Sequence, residues 1–504
     1  MPRIDDILCR GLKASREGTA LICRGGTFTY EQLDRRVDQL AGALCSKGVS
    51  KGDVVSLVSE NAPIFLELTL ACSRIGAVCA VLSTRFSSVV LSSLLKKAHP
   101  RLVFASQKMA SAVDAALKIS QVETECLLGE GSCFESLLAA SSESLPAEVD
   151  VSDPALILYT SGTTGVPKGV VLSHGALLAR IEIDRETMRM DESTRMLFVL
   201  PFFHVTCVST FVVLACGGVV TIASGTKDFA IVADIQKTKA THVGLLPYHL
   251  RLLAGYLEQS GEKLSTLKLI AYGGEPVNPC VINRCRSLIS CLFWQGYGMT
   301  ETASSIAVVT PEDHERGSDG VSVGRAIPSV QIRVCSADGS ELPAESLGEV
   351  WVKTPTLMTG YLDAPELTAQ VIRDGWYLTG DIGRVDAEGR LTLVDRKEEM
   401  FISGGENVYP SEIAACIRSF EGVQDVVVTR VSDDRWGESA VAFVELADDV
   451  RLSRQEISDR CASMLGHYKR PKAVVIVESL QRKASGKVSK EYVQSLLARL
   501  GEGD

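Results

Sequence analysis

The first part of the chain alternates between short apolar runs and longer stretches with helical periodicity. The residues Thr29-Tyr30-Glu31-Gln32 fit a helix-start capping box, in which Thr29 is the cap and Gln32 reaches back to it. Apolar residues then recur on one helical face as far as Gly48. Strands are predicted at 54–58, 77–82 and 102–105, with helices at 62–75 and 89–98 between them. This repetition indicates parallel sheets covered by helices.

The same alternation continues through the middle of the chain, with one interruption. Residues 123–150 are rich in Ser, Ala and Glu and weakly patterned, so they predict a surface connection. Further strands are predicted at 155–159, 196–200, 218–222, 242–246, 267–272 and 292–294, and further helices at 176–188, 229–237 and 248–259. The middle of the chain is therefore predicted to extend the α/β pattern.

Beyond about residue 311 the pattern changes to short alternating runs separated by turns such as Ala337-Asp338-Gly339. Such alternation is typical of antiparallel strands, in a small barrel or sheet. From residue 395 onward the pattern is mixed, with helices at 411–419 and 453–465 and strands near 423–430 and 440–445. The predicted fold class is α/β, with a large N-terminal domain of βα-repeat parallel sheets at 1–394, a β-barrel subdomain within it at about 321–394, and a smaller α+β C-terminal domain at 395–504.

Composition and charge restrict the classes of partner. The 504 residues carry a net charge of −10, which argues against nucleic acid or an anionic membrane as the main partner. The 15 cysteines have no metal-ligand spacing and predict free thiols in a reducing compartment. The N-terminus lacks an apolar signal core, and the most apolar stretch, 208–223, is interrupted by Gly217-Gly218 and too short to span a bilayer. A cytoplasmic protein with no membrane span is expected.

One run of glycines and hydroxyl residues points to a phosphate site. Strand 155–159 leads into Thr160-Ser161-Gly162-Thr163-Thr164-Gly165-Val166-Pro167-Lys168-Gly169. Glycines let backbone N–H groups converge on an anion, hydroxyls add donors, and Lys168 adds a positive charge. The common ATPase loop ends in Gly-Lys-Ser/Thr, so this run is a different kind of loop. A flexible surface loop is the alternative.

Four later motifs could carry chemistry, although each has a simpler structural interpretation. Tyr297-Gly298-Met299-Thr300-Glu301 offers a hydroxyl and a hard oxygen ligand, but a lone glutamate is usually solvated. Gly375 to Asp381 places a carboxylate after a glycine turn, and Asp is a common turn former. Ser403-Gly404-Gly405-Glu406 suits a hairpin, or the close passage of a thin ligand. Arg482 to Lys487 is a basic run that would ordinarily be solvated.

Together these five motifs resemble those of the adenylate-forming superfamily, which includes acyl-CoA synthetases, peptide-synthetase adenylation domains and firefly-type luciferases. The order of the motifs from Tyr159 to Lys487 matches, and the preceding residues fit the family's N-terminal repeats, so the resemblance covers essentially the whole chain. It implies an AMP-forming acid–thiol ligase that uses ATP, Mg²⁺ and coenzyme A. A carboxylate would attack the α-phosphate of ATP, and a thiol would then attack the acyl-AMP.

The resemblance also assigns roles to residues. The phosphates would be held by Thr160, Ser161, Gly162, Thr163, Thr164 and Lys168. Glu301 would hold Mg²⁺ beside Thr300, Asp381 and Arg396 would contact the ribose, and Gly274, Glu275, Pro276 and Tyr297 would flank adenine. Lys487 would be the mobile catalytic lysine, and Gly404 and Gly405 would line the pantetheine passage. The C-terminal domain is implied to rotate about Asp395 between the half-reactions.

The identity of the acid is less constrained. By resemblance, His204 is a gate between nucleotide and acyl pockets, although a core histidine at a strand end is the alternative. The acyl wall is predicted to comprise Val205, Thr206, Ser209, Gly273, Gly298, Met299 and Ser305. These residues are small or apolar, which disfavours an amino acid, and no arginine immediately precedes Gly296-Tyr297, which weakens a malonate-type substrate. A monocarboxylic acid with an aliphatic or aromatic body is expected.

Three alternatives to a CoA ligase remain open. The first is an acyl-AMP ligase that loads the thiol of a separate carrier protein. The second is a luciferase-like oxygenase, which nothing in the chain favours. The third is a non-catalytic nucleotide-binding regulator, which predicts the loss of Lys487 or Glu301, and both are present. The oligomeric state is open between monomer and homodimer.

Overall fold

The computed structural model describes most of the chain. The described residues are 3–141, 146–160, 167–275, 277, 279–316, 322–397, 399–403, 406–433, 435–447, 450–465, 469–482 and 488–501. Helix and strand numbering below follows chain order. Within these residues the structure contains two sheets in the first 396 positions and a third sheet after them.

The first 187 residues form most of the smaller of these two sheets, which we call the first sheet, and one edge of the larger one, which we call the second sheet. The elements are α1 (Asp6–Ser15), β1 (Thr19–Cys23), β2 (Gly26–Thr29), α2 (Tyr30–Ser46), β3 (Val54–Val58), α3 (Ile64–Ile75), β4 (Val78–Val81), α4 (Ser88–Ala98), β5 (Leu102–Ala105), α5 (Ala110–Ser120), β6 (Glu125–Leu128), α6 (Gly131–Ala139), β7 (Pro154–Thr160), β8 (Lys168–Ser173) and α7 (His174–Thr187). The predicted capping box at Thr29 and Gln32 is confirmed, with both reciprocal hydrogen bonds present. The predicted strand 54–58 is β3 itself.

The prediction of a surface connection at 123–150 was wrong, because β6 and α6 lie within it. β6 is an edge strand that pairs with β5 alone and is only half-buried, so its hydrophobic pattern is weak. Helix α6 buries only Phe134 and Leu138. Both elements therefore show little periodicity in the sequence.

The next section builds the centre of the second sheet. Its elements are β9 (Arg195–Phe198), α8 (Val208–Ala215), β10 (Val219–Ile222), α9 (Asp228–Thr238), β11 (His242–Leu245), α10 (Pro247–Ser260), β12 (Leu269–Gly273), α11 (Pro279–Leu288), β13 (Leu292–Met299), β14 (Ser304–Val309) and α12 (Pro311–Glu315). The most apolar stretch of the sequence divides into α8 and β10, with Gly217 between them at φ +80°. No described helix is long and apolar enough to cross a membrane.

The β-rich segment is antiparallel, as predicted. It contains β15 (Ser322–Ala326), β16 (Gln331–Cys335), β17 (Gly348–Lys353), β18 (Gly360–Tyr361), α13 (Pro365–Val371), β19 (Ile372–Arg373), β20 (Trp376–Val385) and β21 (Arg390–Arg396). Pairing of β15 with β14 and β21 joins these strands to the second sheet. The exception is β18, which pairs with β8 and so completes the first sheet in the order β18-β8-β7-β4-β3-β5-β6.

The C-terminal section has a separate α+β core. Its elements are β22 (Phe401–Ser403), β23 (Glu406–Val408), α14 (Pro410–Arg418), β24 (Val423–Asp433), β25 (Gly437–Leu446), α15 (Arg454–Leu465), β26 (Ala473–Val477) and α16 (Lys490–Gly501). The long β24–β25 pair is central, and buried side chains from α14 and α15 pack on it, including Ile413, Ile417 and Ile457. The third sheet pairs with neither of the other sheets among the described strands.

The junction between the two sections lies near the predicted boundary. Asp395 is still part of β21, opposite Ile382. Its Oδ2 accepts from the backbone N–H of Ser411 at 2.9 Å, in the first turn of α14, while Oδ1 accepts from the N–H of Arg396 at 2.7 Å. Asp395 thus belongs to the large section and also satisfies a helix N-terminus of the small one. The boundary between 394 and 395 itself stays a prediction.

Candidate active site

The predicted phosphate loop connects two antiparallel strands. β7 ends at Thr160 and β8 begins at Lys168, and the two residues face each other across the hairpin. Four of the predicted phosphate-binding residues, Ser161, Gly162, Thr163 and Thr164, lie outside the described residues. The Nζ of Lys168 lies 5.3 Å from the ring centroid of Tyr361. The positive charge is therefore held on an aromatic face at the mouth of the hairpin.

Glu301 lies on a short turn that follows β13. The turn, Thr300–Thr302, is held by two hydrogen bonds from the chain before β18: Met358 N–H donates to the Glu301 carbonyl at 2.8 Å, and Thr356 Oγ1 to the Thr302 carbonyl at 2.8 Å. The Glu301 side chain is buried, and its Oε1 accepts from the Tyr361 hydroxyl at 2.8 Å. The carboxylate is thus fixed in orientation by a neutral donor.

The donor set around Glu301 fits a nucleotide-bound Mg²⁺ and not a metal cage made by the protein. The described residues contain no group of three or more His, Cys, Asp or Glu side chains that could hold a metal ion. Magnesium is commonly bound by one or two carboxylates, with phosphates and water completing its shell. The single buried carboxylate of Glu301 would suit such an ion if phosphate oxygens and water completed its shell.

Asp381 is the centre of a second polar group. The register of β20 and β21 pairs Asp381 with Arg396, and the Arg396 Nε lies 2.7 Å from Asp381 Oδ1. The Tyr297 hydroxyl donates to Asp381 Oδ2. Burial and the neighbouring Asp381 carboxylate raise the pKa of Tyr297, so Tyr297 is a neutral donor. The family resemblance assigned Asp381 and Arg396 to the ribose and Tyr297 to adenine. In the structure, Tyr297 and Arg396 both contact Asp381.

The predicted adenine residues are only partly described, since Pro276 lies outside the described residues. Gly274 follows β12 with φ +84°, a left-handed conformation that favours glycine. The Glu275 carboxylate lies 3.0 Å from Arg482 Nη1, and Arg482 also pairs with Asp425 of β24. Burial raises the pKa of Glu275, and Arg482 opposes that shift. This ion pair joins the two sections of the chain beside the site, and no local sequence pattern indicated it.

Two glycines of the predicted acyl wall lie where neighbouring strands pair. Gly273 pairs with Gly296 across β12 and β13, and Gly298 pairs with Ser305 across β13 and β14. A Cβ at Gly273 would lie 2.2 Å from the Gly296 carbonyl oxygen, and one at Gly298 would lie 2.1 Å from the Ser304 carbonyl oxygen. Close strand approach therefore requires glycine at both positions, independently of any substrate.

The predicted gate residue His204 and four other residues of the predicted acyl wall lie near the start of α8 or at the end of β13. The His204 and Phe203 ring centroids are 4.7 Å apart, Val205 and Thr206 form a single 3₁₀ turn, and Ser209 lies in the first turn of α8. Met299 pairs with Ser304. Each of these side chains is partly exposed apart from the buried Phe203. The wall is thus a mixture of small, apolar and weakly polar groups.

The link between Glu301 and the acyl wall is strained. Ala303 and Ser304 have φ values of +50° and +119°, which non-glycine residues rarely adopt. Two hydrogen bonds hold this conformation: Thr302 Oγ1 donates to the Ser304 carbonyl at 2.8 Å, and Arg180 Nη1 donates to the Ser305 carbonyl at 2.5 Å. Arg180 is fully buried and pairs with Asp184. Sequence reasoning missed Arg180, because a single arginine in a helix carries no distinguishing signal.

Three predicted site residues, Gly404, Gly405 and Lys487, lie outside the described residues. The nearest described part of the glycine loop is the pairing of β22 with β23, where Ser403 faces Glu406. For the C-terminal motif, the described residues on either side are Arg482 and Val488, which form an isolated antiparallel bridge. The pantetheine passage and the catalytic lysine therefore remain predictions.

Comparison with known proteins identifies the family of the chain. The sequence profile of the AMP-binding enzyme family matches residues 10–362, and that of the AMP-binding enzyme C-terminal domain matches residues 412–487. The chain belongs to the AMP-binding enzyme family. This family is the adenylate-forming one that the motifs resemble, and the chain is an enzyme of the AMP-forming acid–thiol ligase family.

Individual members of the AMP-binding enzyme family match almost end to end. The chain is 34% identical to the indoleacetate–CoA ligase of Aromatoleum aromaticum over 94% of each chain. It is 30% identical to the fatty acid–[acyl-carrier-protein] ligase ScoC of Streptomyces coeruleorubidus, over 93% of this chain and 91% of that one. Among solved structures, ATP-bound MatB from Rhodopseudomonas palustris superposes with a TM-score of 0.89 at 26% identity, over 98% of this chain and 99% of that chain. The fold and the capacity to bind ATP follow from these matches.

Proposed function

We propose that the protein is an ATP-dependent acyl-CoA ligase that activates a monocarboxylic acid as acyl-AMP and transfers it to coenzyme A. The observation that carries the proposal is the convergence of Tyr297 and Arg396 on the Asp381 carboxylate, together with the contacts of Tyr361 with both Glu301 and Lys168. Cations, fixed carboxylates and hydrogen-bond donors are what a nucleotide polyphosphate and its metal require.

The first half-reaction is adenylation. An oxygen of the substrate carboxylate attacks the α-phosphorus of ATP, and the bond to the β-phosphate bridging oxygen breaks, which releases pyrophosphate. Lys168 would bind the leaving phosphates, and Lys487 would bridge the attacking carboxylate and the α-phosphate. Mg²⁺ held by Glu301 would neutralise developing charge on the phosphate oxygens. Catalysis by the chain is thus positioning and electrostatic stabilisation.

The second half-reaction is thioester formation. The thiol sulfur attacks the acyl carbonyl, its proton is lost, and AMP leaves with the electron pair of the broken acyl–oxygen bond. In the proposal, the small section rotates about Asp395 and brings Gly404 and Gly405 to the site in place of Lys487. The contacts of Asp395 with both sections support this position for the hinge.

The class of acid is inferred from the acyl wall. Val205, Ser209 and Met299 present apolar or small side chains, and the residue before Gly296 is Gln295, whose side chain accepts from Tyr272. This wall suits an aliphatic or aromatic body without a second charge. The similarity to an indoleacetate–CoA ligase supports an aromatic acid, and the similarity to ScoC supports a fatty acid.

The second candidate acceptor is the phosphopantetheine thiol of a carrier protein, which the similarity to ScoC favours. The two acceptors are distinguished by incubating the protein with ATP, Mg²⁺ and a panel of aromatic and aliphatic acids, with either CoA or a holo-carrier protein. Mass spectrometry of the products is expected to detect an acyl-CoA thioester. Thioester found on the carrier alone would replace the CoA proposal, and the absence of any thioester would overturn both.

A further inference from the structure

A short segment ties the phosphate hairpin to the Glu301 turn. We call residues 354–362 the strap. It leaves the second sheet after β17, adds β18 to the first sheet, and leads to α13 before the chain returns to the second sheet in β19 and β20. Its backbone donates to both parts of the site: Leu362 N–H to the Gly169 carbonyl at 2.7 Å, and Met358 N–H to the Glu301 carbonyl at 2.8 Å. The relative position of the two parts therefore depends on the strap.

The side chain of Tyr361 repeats this connection at the site itself. Its hydroxyl donates to Glu301 Oε1 at 2.8 Å, and its ring centroid lies 5.3 Å from Lys168 Nζ. The side chain is buried, at 7% exposure. Because the Glu301 carboxylate accepts hydrogen bonds, the Tyr361 hydroxyl is the donor in this contact. The Tyr361 side chain is also hydrogen-bonded to the side chain of Tyr377.

Opposite charges that contact the same tyrosine raise a physical problem. A lysine and a glutamate on adjoining segments attract each other, and partial burial strengthens that attraction. If they paired directly, the ammonium would be withdrawn from the phosphates and the carboxylate from the metal. A tyrosine between them offers an aromatic face to the ammonium and a hydroxyl to the carboxylate. Each charge is stabilised without being neutralised by the other.

We propose that Tyr361 is a positioning residue that holds Lys168 and Glu301 apart and oriented for Mg²⁺·ATP. The inference rests on the proposed roles of these two residues in phosphate and metal binding. It predicts that the hydroxyl serves the carboxylate and the ring serves the ammonium, so two substitutions separate the functions. Tyr361→Phe removes only the hydroxyl, whereas Tyr361→Leu removes the ring as well.

The experiment measures ligand binding by isothermal titration calorimetry in the absence of acid and thiol. ATP is titrated at several Mg²⁺ concentrations, and AMP, which lacks the β- and γ-phosphates, serves as the reference ligand. For Tyr361→Phe we expect the Mg²⁺ concentration needed for half-maximal ATP affinity to rise about tenfold, as loss of an outer-shell partner typically causes, with AMP affinity within about twofold of wild type. For Tyr361→Leu, Mg²⁺-free ATP binding should weaken as well.

The matched control is Tyr256→Phe, which removes a tyrosine–glutamate hydrogen bond of 2.9 Å to Glu262 away from the strap. This variant should bind both nucleotides as wild type does, and melting curves establish that each variant is folded. A merely structural role for Tyr361 would weaken ATP and AMP binding together, or change neither, and either result overturns the inference. If wild-type ATP binding does not depend on Mg²⁺, the proposed role of Glu301 fails first, and the inference fails with it.

Discussion

The proposed nucleotide half and the proposed acyl half of the site are built in different ways. In the nucleotide half, side chains contact one another: Asp381 joins Tyr297 and Arg396, and Tyr361 joins Glu301 and Lys168. In the acyl half, neighbouring strands approach so closely that a Cβ at Gly273 or Gly298 would collide with a backbone carbonyl oxygen. A polyphosphate requires charges at fixed positions, whereas an acyl body requires only a space of suitable shape and polarity. The chemical identity of the residues therefore indicates the ligand in the nucleotide half, whereas the size of the residues indicates the ligand in the acyl half.

The largest expected effect tests the nucleotide half. Replacing Lys487 with Ala should reduce adenylation by about 10²–10³-fold, because one preorganised electrostatic contact to the transition state is lost. Thioester formation from synthetic acyl-AMP should be spared, since that step does not need the lysine. Single-turnover pyrophosphate release and thioester yield are measured separately. An equal loss in both half-reactions would remove Lys487 from its assigned role.

A substitution at the proposed hinge tests whether the two halves are used in alternation. Asp395→Pro fixes φ near −65° and restricts Val394. An incompatible proline costs about 3 kcal/mol, so one domain orientation should be depopulated on the order of 10²-fold. If the adenylating orientation is trapped, pyrophosphate release in a single turnover should persist while thioester formation falls.

The control for the hinge follows from the contacts of Asp395. Asp395→Ala removes the hydrogen bond to Ser411 N–H but leaves φ unrestricted. Its free energy of unfolding should fall by about 1 kcal/mol, as it does when a helix cap is lost, and its melting temperature should fall accordingly. Both half-reactions should be slowed only slightly. A folded proline variant with both rates near wild type would exclude Asp395 as the hinge.

Gly405→Leu separates the half-reactions in the opposite sense to Lys487→Ala. A side chain in the predicted pantetheine passage should block approach of the thiol, so acyl-AMP should accumulate while its formation continues. A loss of at least tenfold in thioester yield is expected for a blocked thiol, about 1.4 kcal/mol in barrier. If pyrophosphate release fell as far as the thioester yield, the passage is misplaced.

A smaller effect is expected from a change of size in the acyl half. Ser209→Phe adds a ring at the start of α8, where the residue is partly exposed. The added ring should remove pocket space equal to one to several methylene groups. We therefore expect kcat/KM for a short acid, divided by kcat/KM for a long acid, to rise about tenfold or more. The KM for ATP should not change. Ser93→Phe, on an exposed position of α4, is the matched control. A parallel change in the KM for ATP would contradict the separation of the halves.

The smallest effect concerns pH and folding. His174 is fully buried at the start of α7, and its Nδ1 accepts from the Ile4 N–H at 3.2 Å. Burial lowers the pKa of His174 to about 4. The unfolded chain, with an ordinary histidine pKa, takes up the proton first, so the stability contributed by neutral His174 is present above about pH 6.5 and is lost as pH falls towards 4.

The free energy of unfolding should therefore decrease by about 1 kcal/mol per pH unit across that range. His174→Asn keeps an acceptor and removes the titration, so its stability should fall less steeply with decreasing pH. Denaturant unfolding at pH 7, 6 and 5 measures both proteins. Identical slopes would show that His174 does not titrate with folding.

Several parts of the fold and of the candidate site could be predicted from the sequence, because local sequence patterns indicate them. The strand Val54–Val58 and the capping box at Thr29 follow from pattern alone. The family resemblance assigned both Asp381 and Arg396 to the ribose of the nucleotide. The register of β20 and β21 places the two residues opposite each other. What these predictions share is a motif or a period within a few adjacent residues.

The remaining features depend on long-range pairing, which one sequence does not specify. Tyr361 lies in a two-residue strand that pairs with β8 nearly 200 positions earlier, so no periodicity indicates it. Edge strand β6 has too little burial to show alternation. Arg482 and Glu275 are 207 positions apart. The glycines of the acyl wall are explained by strand approach as well as by substrate, so their presence alone does not identify the acid.

Adenylation as the first step is tested most directly by acid-dependent exchange of labelled pyrophosphate into ATP, with Mg²⁺ present and no thiol. Wild-type protein with its acid should support exchange and form AMP once CoA is added, because adenylation is complete before the thiol is needed. Asp381→Asn, which weakens the pairing with Arg396, should lower the exchange by raising the KM for ATP. Exchange that requires CoA, or the formation of ADP and phosphate in place of AMP and pyrophosphate, would contradict adenylation as the first step.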